Sequence, residues 1–229
     1  MNDAMLDALR TIAHGLIVSC QAPVDSPLHD PSVIAAIAQA AVNQGAVGVR
    51  IDTPTHISAV RQRVQVPIIG LWKQQIPGFS VYITPQFHHA AAVAEAGADI
   101  IAIDATLRDR PGGETVAGLI ARIHAELGKP VMADVDTLAG AIGAVQAGAD
   151  LIATTLYGYT EETQHLSPPG FNLLTELTQL PPPAICEGGI ASPQMARRAL
   201  DLGAYAVVVG TAITGIDAHV KAYQAVMNQ

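Results

Sequence analysis

The chain has 229 residues, of which half are hydrophobic, 4% are aromatic and 14% are charged, so its size and composition fit one large domain of buried strands covered by alanine-rich helices. Its net charge of −8 argues against binding to nucleic acid or to an anionic membrane across the surface. The first residues lack the pattern of a signal peptide, and no run of about 18 apolar residues predicts a membrane span. We therefore expect a soluble cytoplasmic protein in which Cys20 and Cys186 are buried free thiols.

Eight apolar segments predict strands, and the segments between them predict helices. The predicted strands are residues 15–21, 47–52, 67–73, 99–105, 130–136, 151–156, 183–189 and 206–212. The predicted helices are residues 32–44, 55–64, 85–96, 114–127, 137–147, 171–179, 192–202 and 216–227. Residues 81–84 form a candidate extra strand in the loop after the third strand.

One pattern recurs along the chain: the end of a helix, a Gly-Ala pair and then an apolar strand. The four glycines that lie where a helix end favours positive φ are Gly45, Gly97, Gly148 and Gly203. Eight strands alternating with eight helices predict a (β/α)8 TIM barrel, as a single domain spanning residues 1–229. The alternative is an open doubly wound sheet, which usually carries a glycine fingerprint after its first strand; the segment SCQAPVDSP contains none.

Polar side chains concentrate at the carboxyl ends of the predicted strands, whereas the amino-terminal halves of the strands are apolar. These polar residues are Gln21, Arg50, Asp52, Lys73, Asp104, Asp134, Asp136, Thr154, Thr155 and Glu187. The catalytic groups of a TIM barrel lie at this end, and buried charges are costly unless they are paired. We therefore predict a site here, with Asp104, Asp134, Thr155 and the loop residue Tyr159 as candidate substrate-binding groups; for the two aspartates, a purely structural role is the alternative.

Lys73 and Glu187 are the candidate catalytic residues. A lysine in a barrel mouth of low dielectric constant can act as a base or as a Schiff-base nucleophile. A carboxyl group that is shielded from water can exchange a proton with carbon. The alternatives are a strand-end lysine that only reaches solvent and a glutamate that only pairs with Lys73 or Arg50.

Two glycine-rich turns predict a phosphate site. Gly188 and Gly189 follow the seventh predicted strand, Gly210 and Thr211 follow the eighth, and a helix is predicted after each turn. Backbone N–H groups at such turns bind phosphate in many barrels, which favours a phosphorylated small metabolite as the ligand. No two histidines fall among the strand ends, so no metal site is expected.

The ordered set of motifs resembles a known family. The segments GLIVSCQAP, GVRI, IIGLWK, YITP, DAT, MADVDT, TTLYGYT, EGGI and VVVGTAIT cover nearly the whole chain in this order. Together they resemble the N-acylglucosamine-6-phosphate 2-epimerases, also called N-acetylmannosamine-6-phosphate 2-epimerases. The resemblance implies an enzyme of sialic acid breakdown, without metal or cofactor, that interconverts N-acetyl-D-mannosamine 6-phosphate and N-acetyl-D-glucosamine 6-phosphate by moving the C2 proton.

The resemblance also implies roles for individual residues. Lys73 matches the acid/base lysine of the family, and Glu187 matches a glutamate at the reaction centre. Gln21, Arg50 and Asp134 match positions that contact the substrate. Whether Glu187 or a substrate hydroxyl delivers the second proton stays open.

The chain departs from the family pattern at two positions. Gly215 stands where the family often has an arginine that meets the phosphate, and Asp136 stands where it often has a small polar residue. We expect weaker phosphate binding from both changes. Two other functions remain alternatives: a Schiff-base lysine aldolase and a non-catalytic sugar-phosphate binding protein. The last helix, residues 216–227, has exposed-looking apolar residues, which favours a possible homodimer.

Overall fold

The computed structural model describes residues 3–228, which form a closed barrel of eight parallel strands in sequential order. The strands are β1 (Leu16–Cys20), β2 (Gly48–Asp52), β3 (Ile68–Leu71), β4 (Ile100–Asp104), β5 (Val131–Asp134), β6 (Leu151–Ala153), β7 (Ala184–Glu187) and β8 (Ala206–Val209). Ile17 of β1 pairs with both Gly48 and Val208, so the sheet closes on itself. The predicted TIM barrel is confirmed, and the open sheet is excluded.

Helices alternate with the strands around the barrel. They are α1 (Asp3–Thr11), α2 (Pro31–Asn43), α3 (Pro54–Arg61), α4 (Phe87–Glu95), α5 (Val116–Arg122, continued by a π-helical turn at Ile123–Leu127), α6 (Leu138–Gln146), α7 (Phe171–Leu177), α8 (Pro193–Asp201), α9 (Thr211–Thr214) and α10 (Ile216–Met227). Each predicted helix overlaps an observed one, whereas α1 and the four-residue α9 were not predicted. The candidate strand at 81–84 is reduced to one isolated antiparallel bridge between Lys73 and Ile83.

The helix ends follow local sequence chemistry. The Asp30 carboxylate accepts hydrogen bonds from the first backbone N–H groups of α2, and the Ser192 hydroxyl does so for α8; a proline follows each cap. At the other end of α2, Gly45 has a φ of 95°, which a glycine adopts without steric cost. The chain can therefore turn at once from helix into strand, as the Gly-Ala pattern predicts.

Alternation of side chains along the strands separates two layers of core. Val49 and Ile51 of β2 belong to the cluster between strands and helices, whereas Ile69 and Leu71 of β3 belong to the cluster that fills the barrel interior. Each such buried side chain contributes about 1.5–3 kcal/mol of transfer free energy. Leu9 of α1 joins the interior cluster, so α1 covers the amino-terminal end of the barrel. The carboxyl end is left for a site.

Two further predictions can be compared with the fold. Cys20 and Cys186 are both buried and free, as predicted. No helix within residues 3–228 is long and apolar enough to cross a membrane.

Candidate active site

A cavity of ≈ 530 Å³ opens at the carboxyl ends of the strands. Its polar lining consists of Ser19, Gln21, Arg50, Lys73, Tyr82, Thr155, Tyr159, Glu187, Gly188, Gly189, Gly210, Thr211 and His219. The structure thus brings every predicted site residue to this cavity except Asp104 and Asp134. Ser19 and His219 also line the cavity, although the sequence pattern did not predict them at the site.

Arg50 stands at the floor of the cavity, on the inner face of β2, and its side chain is only 2% exposed. Its guanidinium donates to both carboxylate oxygens of Asp134, over 3.1 and 2.6 Å, and lies 3.0 Å from Oε2 of Glu187. A bidentate pair of this kind fixes the plane of the guanidinium. Asp134 is fully buried behind Arg50, so the structure makes it the partner that orients Arg50 rather than a wall of the cavity.

Glu187 ends β7 and shares Arg50 with Asp134. The pKa of Glu187 is raised to about 7: burial is the largest cause, Arg50 opposes it, and the nearby negative charge of Asp134 adds to it. The Thr155 hydroxyl lies 3.2 Å from Oε2 of Glu187 and 2.6 Å from Oδ1 of Asp134. One guanidinium thus serves two carboxyl groups, and the pKa of Glu187 lets it exchange a proton near neutral pH.

Lys73 follows β3 at the rim of the cavity. Its backbone N–H donates to Oδ1 of Asp52 over 2.9 Å, and its ammonium group donates to Oε1 of Gln21. The residue keeps contact with solvent, but the cavity walls remove water from its amine, and this desolvation lowers the pKa of Lys73. Arg50 lowers the pKa further, whereas Asp52 raises it.

Lys73 and Glu187 therefore form an acid/base set within one cavity. The pKa of the lysine is lowered and that of the glutamate is raised, so their proton affinities approach each other. General acid–base catalysis is most effective when the pKa of the group lies near the working pH. The arrangement can remove a proton from a bound molecule and return one.

The glycine turns form another side of the cavity. Gly188 and Gly189 have φ values of 95° and 69°, a region that side chains other than glycine rarely adopt. A Cβ atom at Gly189 would lie 2.5 Å from Cβ of Pro168, so this turn also has no room for a side chain. Backbone groups rather than side chains therefore face the cavity at this turn, as at Gly210.

The two departures from the family pattern lie in different surroundings. Asp136 is buried, accepts a 2.7 Å hydrogen bond from the Thr160 hydroxyl and does not line the cavity. Its charge therefore has a partner outside the site. Gly215 separates α9 from α10, and a Cβ there would lie 2.6 Å from Cγ2 of Thr211, so this backbone leaves no room for a longer side chain.

Asp104 was predicted to bind the substrate, but the structure gives it other contacts. It ends β4 on the inner face, but it is fully buried and does not line the cavity. Its carboxylate forms a 2.7 Å ion pair with Arg108 and accepts a 2.7 Å hydrogen bond from the Thr106 hydroxyl.

Within residues 3–228, no group of three or more His, Cys, Asp or Glu side chains is arranged to hold a metal ion.

Comparison with known proteins places this geometry in a family. Residues 34–229 match the family model described as "Putative N-acetylmannosamine-6-phosphate epimerase". The chain belongs to this family. Two similar proteins are each named "Putative N-acetylmannosamine-6-phosphate 2-epimerase". The one from Synechococcus elongatus is 63% identical over 96% of each chain, and the one from Thermosynechococcus vestitus is 64% identical over 94% of each chain.

Solved structures agree with the fold. The N-acetylmannosamine-6-phosphate 2-epimerase from Clostridium perfringens matches with a TM-score of 0.91 and 38% identity over 95% of both chains. A thiamine phosphate pyrophosphorylase from Pyrococcus furiosus matches with a TM-score of 0.60 at 16% identity, which shows a shared fold alone.

Proposed function

We propose that this chain interconverts N-acetyl-D-mannosamine 6-phosphate and N-acetyl-D-glucosamine 6-phosphate by inverting C2. The observation that carries the proposal is that Lys73 and Glu187 face one cavity with pKa values displaced towards each other. The names of the family and of its similar members supply the substrate. As an epimerase of amino sugars, the protein would act in carbohydrate metabolism, in the breakdown of sialic acid.

The chemistry follows from the acidity of the C2 proton in the open-chain sugar, which is α to the C1 carbonyl. Lys73 in its neutral form removes this proton, and the electron pair of the C–H bond forms a C1=C2 double bond, which gives an enolate with negative charge on O1 and the acetamido group on C2. The nearby Arg50 guanidinium favours that charge electrostatically. Return of a proton to the opposite face of C2 completes the inversion. Glu187, whose pKa of about 7 leaves part of it protonated at neutral pH, or a substrate hydroxyl delivers this proton.

Binding is divided between the two ends of the cavity. We assign the phosphate to the backbone at Gly188, Gly189, Gly210 and Thr211, because glycine turns expose N–H groups without side-chain hindrance. We assign the sugar to Gln21, Arg50, Thr155 and Tyr159, which line the remainder. Asp134 contributes through Arg50 rather than by contact.

A deuterium experiment tests the proposed function. The protein is incubated with N-acetylmannosamine 6-phosphate in deuterated water, and the expected product is N-acetylglucosamine 6-phosphate that carries deuterium at C2. The reverse reaction from the other hexosamine phosphate should label in the same way. A folded protein that gives no conversion would contradict the proposal, and a borohydride-trapped adduct on Lys73 would favour a Schiff-base aldolase instead.

The proposal extends to assembly and location. Helix α10 has no buried residue, and we propose that it packs on a second copy to form a homodimer. The free thiols of Cys20 and Cys186 are compatible with a reducing compartment, which supports a cytoplasmic location.

A further inference from the structure

Residues 80–84, which we call the bridging segment, cross the carboxyl end of the barrel from β3 towards β4. On the β3 side the segment is held by backbone pairing. The N–H of Gln74 donates to the carbonyl of Tyr82 over 2.9 Å, and the N–H of Thr84 donates to the carbonyl of Trp72 over 2.9 Å. The segment is thus fixed to the residues on either side of Lys73.

On the β4 side the bridging segment is held by Asp104 and Arg108. The N–H of Asp104 donates to the carbonyl of Ile83 over 2.8 Å, and the N–H of Tyr82 donates to Oδ2 of Asp104 over 3.4 Å. Arg108 donates to the same Oδ2 over 2.7 Å and to the carbonyl of Ser80 over 2.9 Å. The segment also covers Asp104, which explains why this inward-facing carboxylate does not reach the cavity.

Tyr82 is the residue of the bridging segment that brings a polar group to the site. It lines the cavity together with Lys73 and Arg50. Burial, together with the negative charges of Asp134 and Asp104, raises the pKa of Tyr82 to about 12. The phenol is therefore protonated at neutral pH and can donate a hydrogen bond to a ligand.

We propose that Tyr82 donates a hydrogen bond to an oxygen at the reacting end of the sugar, and that Asp104 and Arg108 are positioning residues that hold Tyr82 there. The inference rests on the proposed function, since it names a further contact for the same substrate. It also accounts for the Asp104–Arg108 ion pair. Neither residue lines the cavity, but both form hydrogen bonds to the bridging segment, which does line it.

The first experiment removes only the hydroxyl. Tyr82→Phe should lower kcat/KM by about tenfold, the usual scale for a lost hydrogen bond in a site that excludes water. Tyr205→Phe is the matched control, because its hydroxyl donates to the carbonyl of Leu9 over 3.0 Å at the opposite end of the barrel. The control should keep the wild-type kcat/KM. A Tyr82→Phe variant with the wild-type kcat/KM would overturn the inference.

The second experiment separates positioning from simple stabilisation. Arg108→Met should also lower kcat/KM by about tenfold, and by much less when Tyr82 is already Phe, because residues that act through one another are not additive. The control is Arg61→Met: Arg61 pairs with Asp99 over 2.8 Å, and Asp99 accepts from the N–H of Ile68 at the start of β3. This control should lower the melting temperature without changing kcat/KM.

The outcomes are distinct. Fully additive losses for Tyr82→Phe and Arg108→Met would overturn the positioning role of Arg108. If Arg108→Met does not fold, Arg108→Lys, which keeps the charge but loses the forked contact, should show the same loss and the same non-additivity. If the wild type itself fails to turn over either hexosamine phosphate, the proposed function falls and this inference falls with it.

Discussion

Lys73 illustrates how a single residue acquires chemistry from its neighbours. It is one of three lysines in the chain, and it follows a strand whose residues Ile68–Leu71 are all buried. Desolvation lowers its pKa, and Gln21 fixes its amine at the rim of the cavity. Among the residues that the structure describes, no other lysine both follows a buried strand and lines this cavity.

Replacement of Lys73 should therefore abolish catalysis and leave the fold intact. Lys73→Ala is expected to lower kcat by about 10²- to 10⁴-fold, the usual contribution of a positioned general acid or base. Lys73→Arg should be comparably inactive, because a guanidinium does not give up its proton. Proton NMR of the epimerisation and thermal unfolding measure the two effects, and Lys129→Ala is the control that should retain activity. A Lys73→Ala enzyme that keeps the wild-type kcat would refute the assigned role.

At the same scale, the sequence predicts that polar side chains lie at the strand ends better than it predicts what covers them. In the structure, alternation along the strands turns Arg50, Asp104, Asp134 and Glu187 to the inner face. Asp134 is nevertheless covered by Arg50, and Asp104 by the bridging segment. Both carboxylates are covered by residues that are far from them in the chain, and a local sequence pattern cannot predict such contacts.

At the scale of elements, periodicity and turn signals located all eight strands and the eight helices predicted from them. The predicted ends were less accurate: the sixth strand was extended to residue 156, whereas Thr154–Leu156 forms a 3₁₀ turn. At this turn the side chain of Thr154 bonds to the backbone of β7: its hydroxyl donates to the carbonyl of Glu187 and accepts from the N–H of Glu187. The covering role of α1 depends on tertiary contacts and could not be predicted from its acidic sequence.

Helix α10 carries a prediction about assembly. Ile216, Val220, Tyr223 and Met227 lie on one face at helical spacing and are 56, 55, 71 and 75% exposed. Burying such side chains contributes about 1.5–3 kcal/mol each, and an apolar face left in water favours a partner. Sedimentation velocity should show a dimer for the wild type and a monomer for Val220→Asp/Tyr223→Asp. Ala225→Asp, on the opposite face of α10, should remain dimeric; a monomeric wild type would contradict the prediction.

At the scale of the whole molecule, the same buried charges that suit the reaction make stability depend on pH. Folding raises the pKa of Glu187 from its ordinary value of 4.5 to about 7, chiefly through burial. Below pH 4.5 both the folded and the unfolded states hold the proton, so the contribution of Glu187 to stability is fully present. Between pH 4.5 and about 7 only the folded state retains it, so unfolding releases a proton and becomes easier as the pH rises.

Glu187→Gln isolates this effect, because glutamine resembles the protonated carboxyl group but does not titrate. The wild type should lose free energy of unfolding relative to Glu187→Gln as the pH rises from 4.5 to about 7, by at most about 1.4 kcal/mol per pH unit, the slope for one proton. Urea unfolding of both proteins at several pH values measures the difference. The exposed Glu95, changed to Gln, controls for the loss of a surface charge and should show no comparable trend. A difference between wild type and Glu187→Gln that stays constant across this range, or that runs in the opposite direction, would show that Glu187 is ionised in the folded protein and that the carboxyl group reaches the substrate as a base rather than as a proton donor.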